Sequence, residues 1–215
     1  IKLFCWDLVI PLSTGLIKEI GEINYIVHMA AETHVDNSIT DPKLFIENNI
    51  LSTLNLLEYS RNLDKLNQFF YFSTDEVFGP ALGDTLYKEW DRHKPTNPYS
   101  ASKSAAEQIC IAYENTYKVP LMIVNVMNAF GERQHVEKFI PTVLDSFFNG
   151  KKIPVYGDGQ QIRDWLFVED HCEAICEVLD KGKVGETLSC LYKIKSYNCK
   201  TAQHFVQRII EAFKS

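Results

Sequence analysis

Two groups of side chains near the middle of the chain are of types that do chemistry. Ser73-Thr74-Asp75-Glu76 sets two hydroxyls and two carboxyls in a row, and Tyr99 lies four residues before Lys103. A free tyrosine phenol titrates near pH about 10, and a neighbouring ammonium favours its ionised form. A Tyr-Lys pair on one helical face therefore predicts a base that works closer to neutral pH. Asp75 and Glu76 are adjacent, so at a strand tip they point in different directions and suit two atoms of one substrate, as acid and base. The same residue types also suit a solvated turn and an ordinary surface Tyr-Lys pair, and neither group alone decides between these readings.

The elements around them are of the kind such groups need. Phe69-Phe70-Tyr71-Phe72 is an apolar, aromatic run of strand length that delivers the hydroxyls and acids to a strand end. A loop with Gly79, Pro80, Gly83, Pro95 and Pro98 follows, and from Tyr99 an Ala- and Glu-rich stretch predicts a helix to Lys118. Upstream, Ile1 to Trp6 reads as a strand ending at Asp7, Thr14 to Gly21 as a helix and Tyr25 to Met29 as a strand, a βαβ step. Ala30-Ala31-Glu32-Thr33 then puts small residues at a strand end, where a flat or charged ligand can approach the backbone. Asp41 and Pro42, as N-cap and first helical residue, open a long helix to Arg61. Val119 to Val126 reads as a buried parallel strand, Glu137 to Pro141 as a loop entering a helix, Asp170 to Lys181 as a helix, and Thr201 to Phe213 as an amphipathic helix.

The 215 residues carry 22 Lys and Arg against 28 Asp and Glu, a net charge of -6, and are 46% apolar. That balance fits a globular chain able to bury a sizeable core. It argues against a nucleic-acid surface while leaving room for a local basic pocket for one diphosphate. No apolar run approaches the roughly 20 residues that span a bilayer, and no signal peptide precedes the first strand, so a cytoplasmic protein without a membrane partner is expected. The six cysteines (Cys5, Cys110, Cys172, Cys176, Cys190, Cys199) are scattered. His171, Cys172 and Cys176 come nearest to a ligand pattern but have no second cluster, so no metal is expected and the thiols read as reduced and buried.

Ser73-Thr74-Asp75-Glu76-Val77-Phe78-Gly79 followed by Asn97-Pro98-Tyr99-Ser100-Ala101-Ser102-Lys103 resembles the nucleotide-sugar 4,6-dehydratases, a branch of the extended short-chain dehydrogenases/reductases, with the dTDP-glucose type nearest. The likeness runs from Asp7 to about Thr187. It implies a Rossmann-like α/β fold with a doubly wound parallel sheet, NAD as cofactor and a nucleotide sugar, dTDP-glucose or UDP-glucose, as substrate. It gives residues 1–126 as the NAD-binding domain and 127–215 as mostly a substrate lobe with some returning Rossmann elements. A homodimer is implied too, built on the helices at Pro42 to Arg61 and Ala101 to Lys118.

Carried over residue by residue, the resemblance makes Thr74, Asp75, Glu76, Tyr99 and Lys103 catalytic. It places the cofactor against Asp7, Leu8, Met29, Ala30, Ala31, Thr33, Asn48 and Ala129 as well as Tyr99 and Lys103. The substrate is placed against Thr33, Thr74, Asn128, Lys138, Phe139, Pro154, Tyr156 and Arg163. Lys138 offers a cation to a phosphate, Arg163 a bidentate fork and Tyr156 a flat ring for a base. Asp7 equally suits a plain strand-terminal acid, and Pro154 to Trp165 equally suits a glycine-rich hairpin that packs Tyr156 and Trp165 on the core. His34 and His171 read as structural. The implied reaction oxidises C4 of the glucose, removes water across C5 and C6, and reduces C6.

The chain departs from that pattern twice. No Gly-rich turn precedes a first helix, since Gly15 and Gly21 stand isolated, so the family's first βα unit with its phosphate loop is expected to be missing. After Thr187, Leu188-Ser189-Cys190 stands where the family carries an asparagine, with Ser189 in its place. Two other readings stay open: a UDP-glucose 4,6-dehydratase or UDP-sugar epimerase/decarboxylase, and an inactive nucleotide-sugar-binding scaffold.

Overall fold

The computed structural model of the chain describes residues 1–81, 85–155, 159, 163–189 and, as backbone, 197–199. In chain order its elements begin with α1 (Thr14–Ile20), β1 (Tyr25–His28), α2 (Val35–Thr40) and α3 (Pro42–Ile46). A widened π turn (Glu47–Leu51) leads into α4 (Ser52–Ser60), then come β2 (Gln68–Thr74) and a 3-10 turn (Asp75–Phe78). Next are α5 (Pro98–Tyr117), β3 (Leu121–Val126), β4 (Asn128–Phe130), α6 (Phe139–Phe148), β5 (Arg163–Phe167), α7 (Val168–Lys181), β6 (Thr187–Ser189) and β7 (Tyr197–Cys199). They fall into two compact units: Ile1–Val126 with Lys181–Ser189, and Met127–Asp180 with the strand Tyr197–Cys199.

The first unit is built on β2. All seven of its residues are buried, as befits a central parallel strand covered on both faces, and this explains why Phe69 to Phe72 shows no polar alternation. It pairs in parallel with β1 on one side and β3 on the other, and β3 pairs in parallel with β6, giving the order β1-β2-β3-β6. Parallel neighbours need a crossover: α3 to α4 makes the first and α5 the second. Leu57 of α4 and Ala106 and Cys110 of α5 pack on Phe69, Tyr71, Leu121 and Ile123 to form the core beneath the sheet.

Local sequence explains the helix starts. Asp41 Oδ1 accepts from Leu44 N (3.4 Å) ahead of Pro42, and Asn97 forms a capping box with Ser100 ahead of Tyr99. The long helix expected from Pro42 to Arg61 is present but interrupted by the π turn, whose cause lies in the site described below. Ile1 to Trp6, expected as a strand, forms no ladder with any described residue; apolar alternation makes a strand only where a neighbour supplies hydrogen bonds.

In the second unit β4 pairs in parallel with β5, and β5 antiparallel with β7. Ile140 of α6 and Trp165 of β5 form its small core with Phe130, Phe139 and Leu144. Helix α7 begins at Val168, two residues earlier than expected, and buries His171, whose basicity burial lowers. Of the described cysteines, Cys110 is buried, but Cys5, Cys172 and Cys176 are exposed, against the expectation of buried thiols. The hydrophilic faces on which the latter two sit were not visible from cysteine spacing. No helix among the described residues is long and apolar enough to cross a membrane. The helix expected at Thr201 to Phe213, and Tyr156, Gly83 and Cys190, lie outside the described residues.

Candidate active site

The C-terminal end of β2 carries the acids. Thr74 is its last, extended residue and caps the 3-10 turn: its Oγ1 accepts from Glu76 N (3.3 Å) and donates to Asp75 Oδ1 (3.2 Å). Gly79 closes the turn at φ 84, and a Cβ there would stand 2.5 Å from the Lys94 carbonyl oxygen. Asn97, the cap of α5, donates from Nδ2 to Glu76 Oε2 (3.3 Å), so the residue that starts the Tyr99 helix also holds Glu76. Tyr99, 9% exposed, hydrogen-bonds the Thr74 hydroxyl through its phenol. Burial and the nearby Glu76 push that phenol up to about 12, the Thr74 hydrogen bond pulls it down, and Asp75 adds to the rise.

This corrects one expectation. The four-residue spacing was to set the Lys103 ammonium beside the phenol and lower it. Instead Lys103 Nζ donates to the Phe72 carbonyl at 2.5 Å and lies 4.4 Å from the centre of the Tyr71 ring. Helical side chains lean toward the N-terminus, and the long lysine stem reaches the strand that α5 covers. Burial pulls Lys103 down to about 8, against the opposing pull of Cys110 and Glu107.

A cleft of about 250 Å³ opens in the same unit, lined among others by Trp6, Asp7, Leu8, Ala30, Ala31 and Asn48. Asp7 Oδ1 accepts from Val9 N (3.0 Å), and Asn55 Nδ2 of α4 holds the carbonyls of Leu8 and Val9, each at 2.9 Å. Asn48 Nδ2 donates to Glu32 Oε1 (3.1 Å). Asn49, 1% exposed, accepts from Glu32 N (2.7 Å) and donates to Glu32 O (3.0 Å) and Ser102 Oγ (2.8 Å). The π turn thus lets two consecutive asparagines both serve the Glu32 segment, one at the cleft wall and one inside the core. Met29 and Thr33, at either end of that segment, are exposed. His34 has the structural part expected of it: its Nδ1 accepts from Asn37 N (3.2 Å) and caps α2. An acid, an aliphatic wall and bare Ala backbone beyond the carboxyl end of a parallel strand suit the base and sugar of a dinucleotide.

The remaining expected site residues belong to the second unit. Asn128 and Ala129 are on β4, in register with Trp165 and Leu166. Lys138 precedes α6 with its ammonium 3.7 Å from Glu137 Oε1, and Phe139 stacks on Trp165 (5.9 Å between centres, 22° between planes). Trp165 is therefore a core residue of this unit, while Pro154 and Arg163 are exposed. Tyr156 lies outside the described residues.

Sequence reading missed Asn49, Asn55, Asn97 and Glu107. Each is a polar residue in or at the start of a helix, and its part is readable only once the face that the helix turns inward is known.

The family model described as GDP-mannose 4,6 dehydratase matches residues 13–214. The dTDP-glucose 4,6-dehydratase of Haemophilus influenzae is 44% identical over 196 residues, covering 86% of this chain and 56% of the relative. The dTDP-glucose 4,6-dehydratase 1 of Escherichia coli K12 is 42% identical over 192 residues, 81% of this chain and 52% of the relative. The chain thus spans about half the length of the curated relatives it matches. Among solved structures, the dTDP-glucose 4,6-dehydratase DesIV of Streptomyces venezuelae, with NAD and TYD bound, superposes with a TM-score of 0.87 at 31% identity, over 98% of this chain and 63% of that one.

Proposed function

This chain belongs to the GDP-mannose 4,6 dehydratase family, and from that membership we propose that it is the part of a nucleotide-sugar 4,6-dehydratase that carries the reacting groups, with dTDP-glucose as substrate and NAD as cofactor. One observation carries the reading: Thr74, Asp75, Glu76 and Tyr99 meet at the end of β2, with the Thr74 hydroxyl on the phenol and both acids acting on it.

The cleft at Asp7, Leu8, Ala30, Ala31 and Asn48 fits the adenosine end of NAD, and Met29, Thr33 and Ala129 are assigned to the same cofactor. NAD bound there supplies a reversible two-electron store for oxidation at C4 and reduction at C6. Thr74 hydrogen-bonds the 4-oxygen of the glucose, and Tyr99 takes the 4-hydroxyl proton. Its phenol is held up near 12, so in this reading substrate binding must bring Lys103, which here donates to the Phe72 carbonyl, to act on the phenol before it can take that proton. Oxidation acidifies C5. Glu76 then removes the C5 proton and Asp75 protonates the departing 6-hydroxyl, which completes the loss of water.

Residues 1–126 hold the cofactor in this reading. Residues 127–215 hold mostly the nucleotide end of the substrate, through Asn128, Lys138, Phe139, Pro154, Tyr156 and Arg163. The protein works in the cytoplasm as a homodimer joined through the helices at Pro42 to Arg61 and Ala101 to Lys118; half-exposed Leu44, Ile46 and Leu51 support that face. Light scattering that shows only monomer at every concentration counts against the dimer.

The test is to incubate the purified protein with dTDP-glucose and read the alkaline absorbance of the 4-keto-6-deoxy product, beside Asp75→Asn and Glu76→Gln. Product that is lost in both variants supports the reading. Binding of dTDP-glucose without product replaces it with a nucleotide-sugar-binding scaffold, and preference for UDP-glucose in competition changes the base.

A further inference from the structure

Glu107 lies one helical turn beyond Lys103 on α5 and is 1% exposed, yet no step above uses it. Its Oε2 accepts from Ser73 Oγ (2.5 Å) and Asn125 Nδ2 (3.2 Å), and its Oε1 lies 3.4 Å from His93 Nε2. Asn125 Nδ2 also donates to the Thr74 carbonyl (3.3 Å), and His93 Nδ1 lies 2.9 Å from Ser104 Oγ. One carboxyl group thus joins β2, β3, α5 and the loop that enters α5. A carboxylate in such a place is costly unless it is hydrogen-bonded and faces positive charge.

The positive charge that acts on it is Lys103, one turn earlier on the same helix and itself buried, whose ammonium donates to the Phe72 carbonyl. The titratable groups around its ammonium are His28 from β1, Tyr71 from β2, and Glu107 and Cys110 from α5 itself. His28 is pulled down to about 3 by burial and by Lys103, so it is neutral at pH 7. Burial pushes the Tyr71 phenol up and the Cys110 thiol far up, so these are neutral as well. Cys110 therefore brings no charge to Lys103 at neutral pH, and Glu107 is the acid left to do so.

We propose that Glu107 is a positioning residue for the dehydration proposed above: its carboxylate keeps Lys103 an ammonium and ties the strand end bearing Thr74 to the helix bearing Tyr99. The inference rests on that reading of the site, and its test is independent of turnover. The chain is labelled with 13Cε-lysine, the Lys103 signal is identified by its loss in Lys103→Met, and its titration is followed in wild type, Glu107→Gln, Glu107→Asp and Ser73→Ala.

The wild-type midpoint is expected near 8. Glu107→Gln moves it down by about one pH unit or more, while Glu107→Asp and Ser73→Ala, which weaken the tether but keep the charge, leave it within about 0.3. The alkaline limb of kcat moves down with the Glu107→Gln midpoint, with KM for dTDP-glucose within about twofold. A Glu107→Gln midpoint equal to wild type overturns the proposal. So does a Glu107→Asp midpoint displaced from wild type by about one pH unit or more, a comparison that stands even if Glu107→Gln does not fold. Failure of the wild type to convert dTDP-glucose overturns the dehydration reading and leaves the Lys103 midpoints to decide on Glu107.

Discussion

Replacing Asn49 by alanine isolates what the core side of the π turn contributes. The side chain makes three hydrogen bonds, with Glu32 N, Glu32 O and Ser102 Oγ, and is 1% exposed. Each is worth about 1 kcal/mol net, and partners left in a buried site lose more, so Asn49→Ala is expected to cost about 3 kcal/mol. For a chain of this length that lowers Tm by roughly 6–12 °C. The neighbouring Asn48→Ala removes one hydrogen bond to half-buried Glu32 and is expected to cost under about 1 kcal/mol. Asn49→Asp is the sharper probe, because it keeps the shape but sets an acceptor where Glu32 O and Ser102 Oγ need a donor, and it should be at least as damaging as alanine. Urea unfolding at constant m measures all three. Equal losses at positions 48 and 49, or an aspartate milder than alanine, would refute this division of labour.

Three further outcomes follow from the same geometry. Burial pulls Lys103 down to about 8 in the folded chain from 10.5 unfolded, so its burial as a cation opposes folding below pH 8 and the opposition fades as pH rises to 10.5; the stability of wild type relative to Lys103→Met should therefore rise by up to about 3 kcal/mol between pH 7 and pH 10.5, as read by denaturant titration across pH. Glu76→Gln removes the largest charge acting on the Tyr99 phenol, so the ultraviolet titration assigned to Tyr99 by subtraction of Tyr99→Phe should move down from about 12; no movement removes Glu76 from the phenol's surroundings. Gly79→Ala combines φ 84 with a Cβ placed 2.5 Å from the Lys94 carbonyl and should cost about 2 kcal/mol or more in thermal unfolding, whereas Gly21→Ala, with φ 80 and open space, should cost about 1.

What the sequence disclosed and what it withheld divide along physical lines. The buried strand at Phe69 to Phe72, the cap at Asp41 and the arrival of Thr74, Asp75 and Glu76 at a strand end were legible, because these depend on local pattern and short-range hydrogen bonds. The grouping of Asp7, Leu8, Ala30, Ala31 and Asn48 around one cleft came through resemblance, not spacing. The true partner of Lys103 was not legible: helical periodicity fixes the face of a lysine but not where its long stem ends. Nor was the mesh around Glu107, whose Ser73, His93 and Asn125 partners are 34, 14 and 18 residues away. Ile1 to Trp6 shows the opposite error, since its alternation is real but a strand is a relation between two segments.

The π turn at Glu47–Leu51 also constrains how the length of this chain can vary. A π turn holds one residue more than an α-helical turn, so loss of one residue between positions 47 and 51 would let α3 run unbroken into α4. The helix would lose nothing in hydrogen bonding, and everything after the deletion would keep its face toward the sheet. α3 before it would keep its face as well, with Phe45 in the core, because the π turn is what absorbs the extra residue; what would be lost is one of the two consecutive asparagine positions that serve Glu32. Related chains that bind a ligand in this cleft should therefore tolerate substitutions at the other positions of the segment better than a change in its residue count.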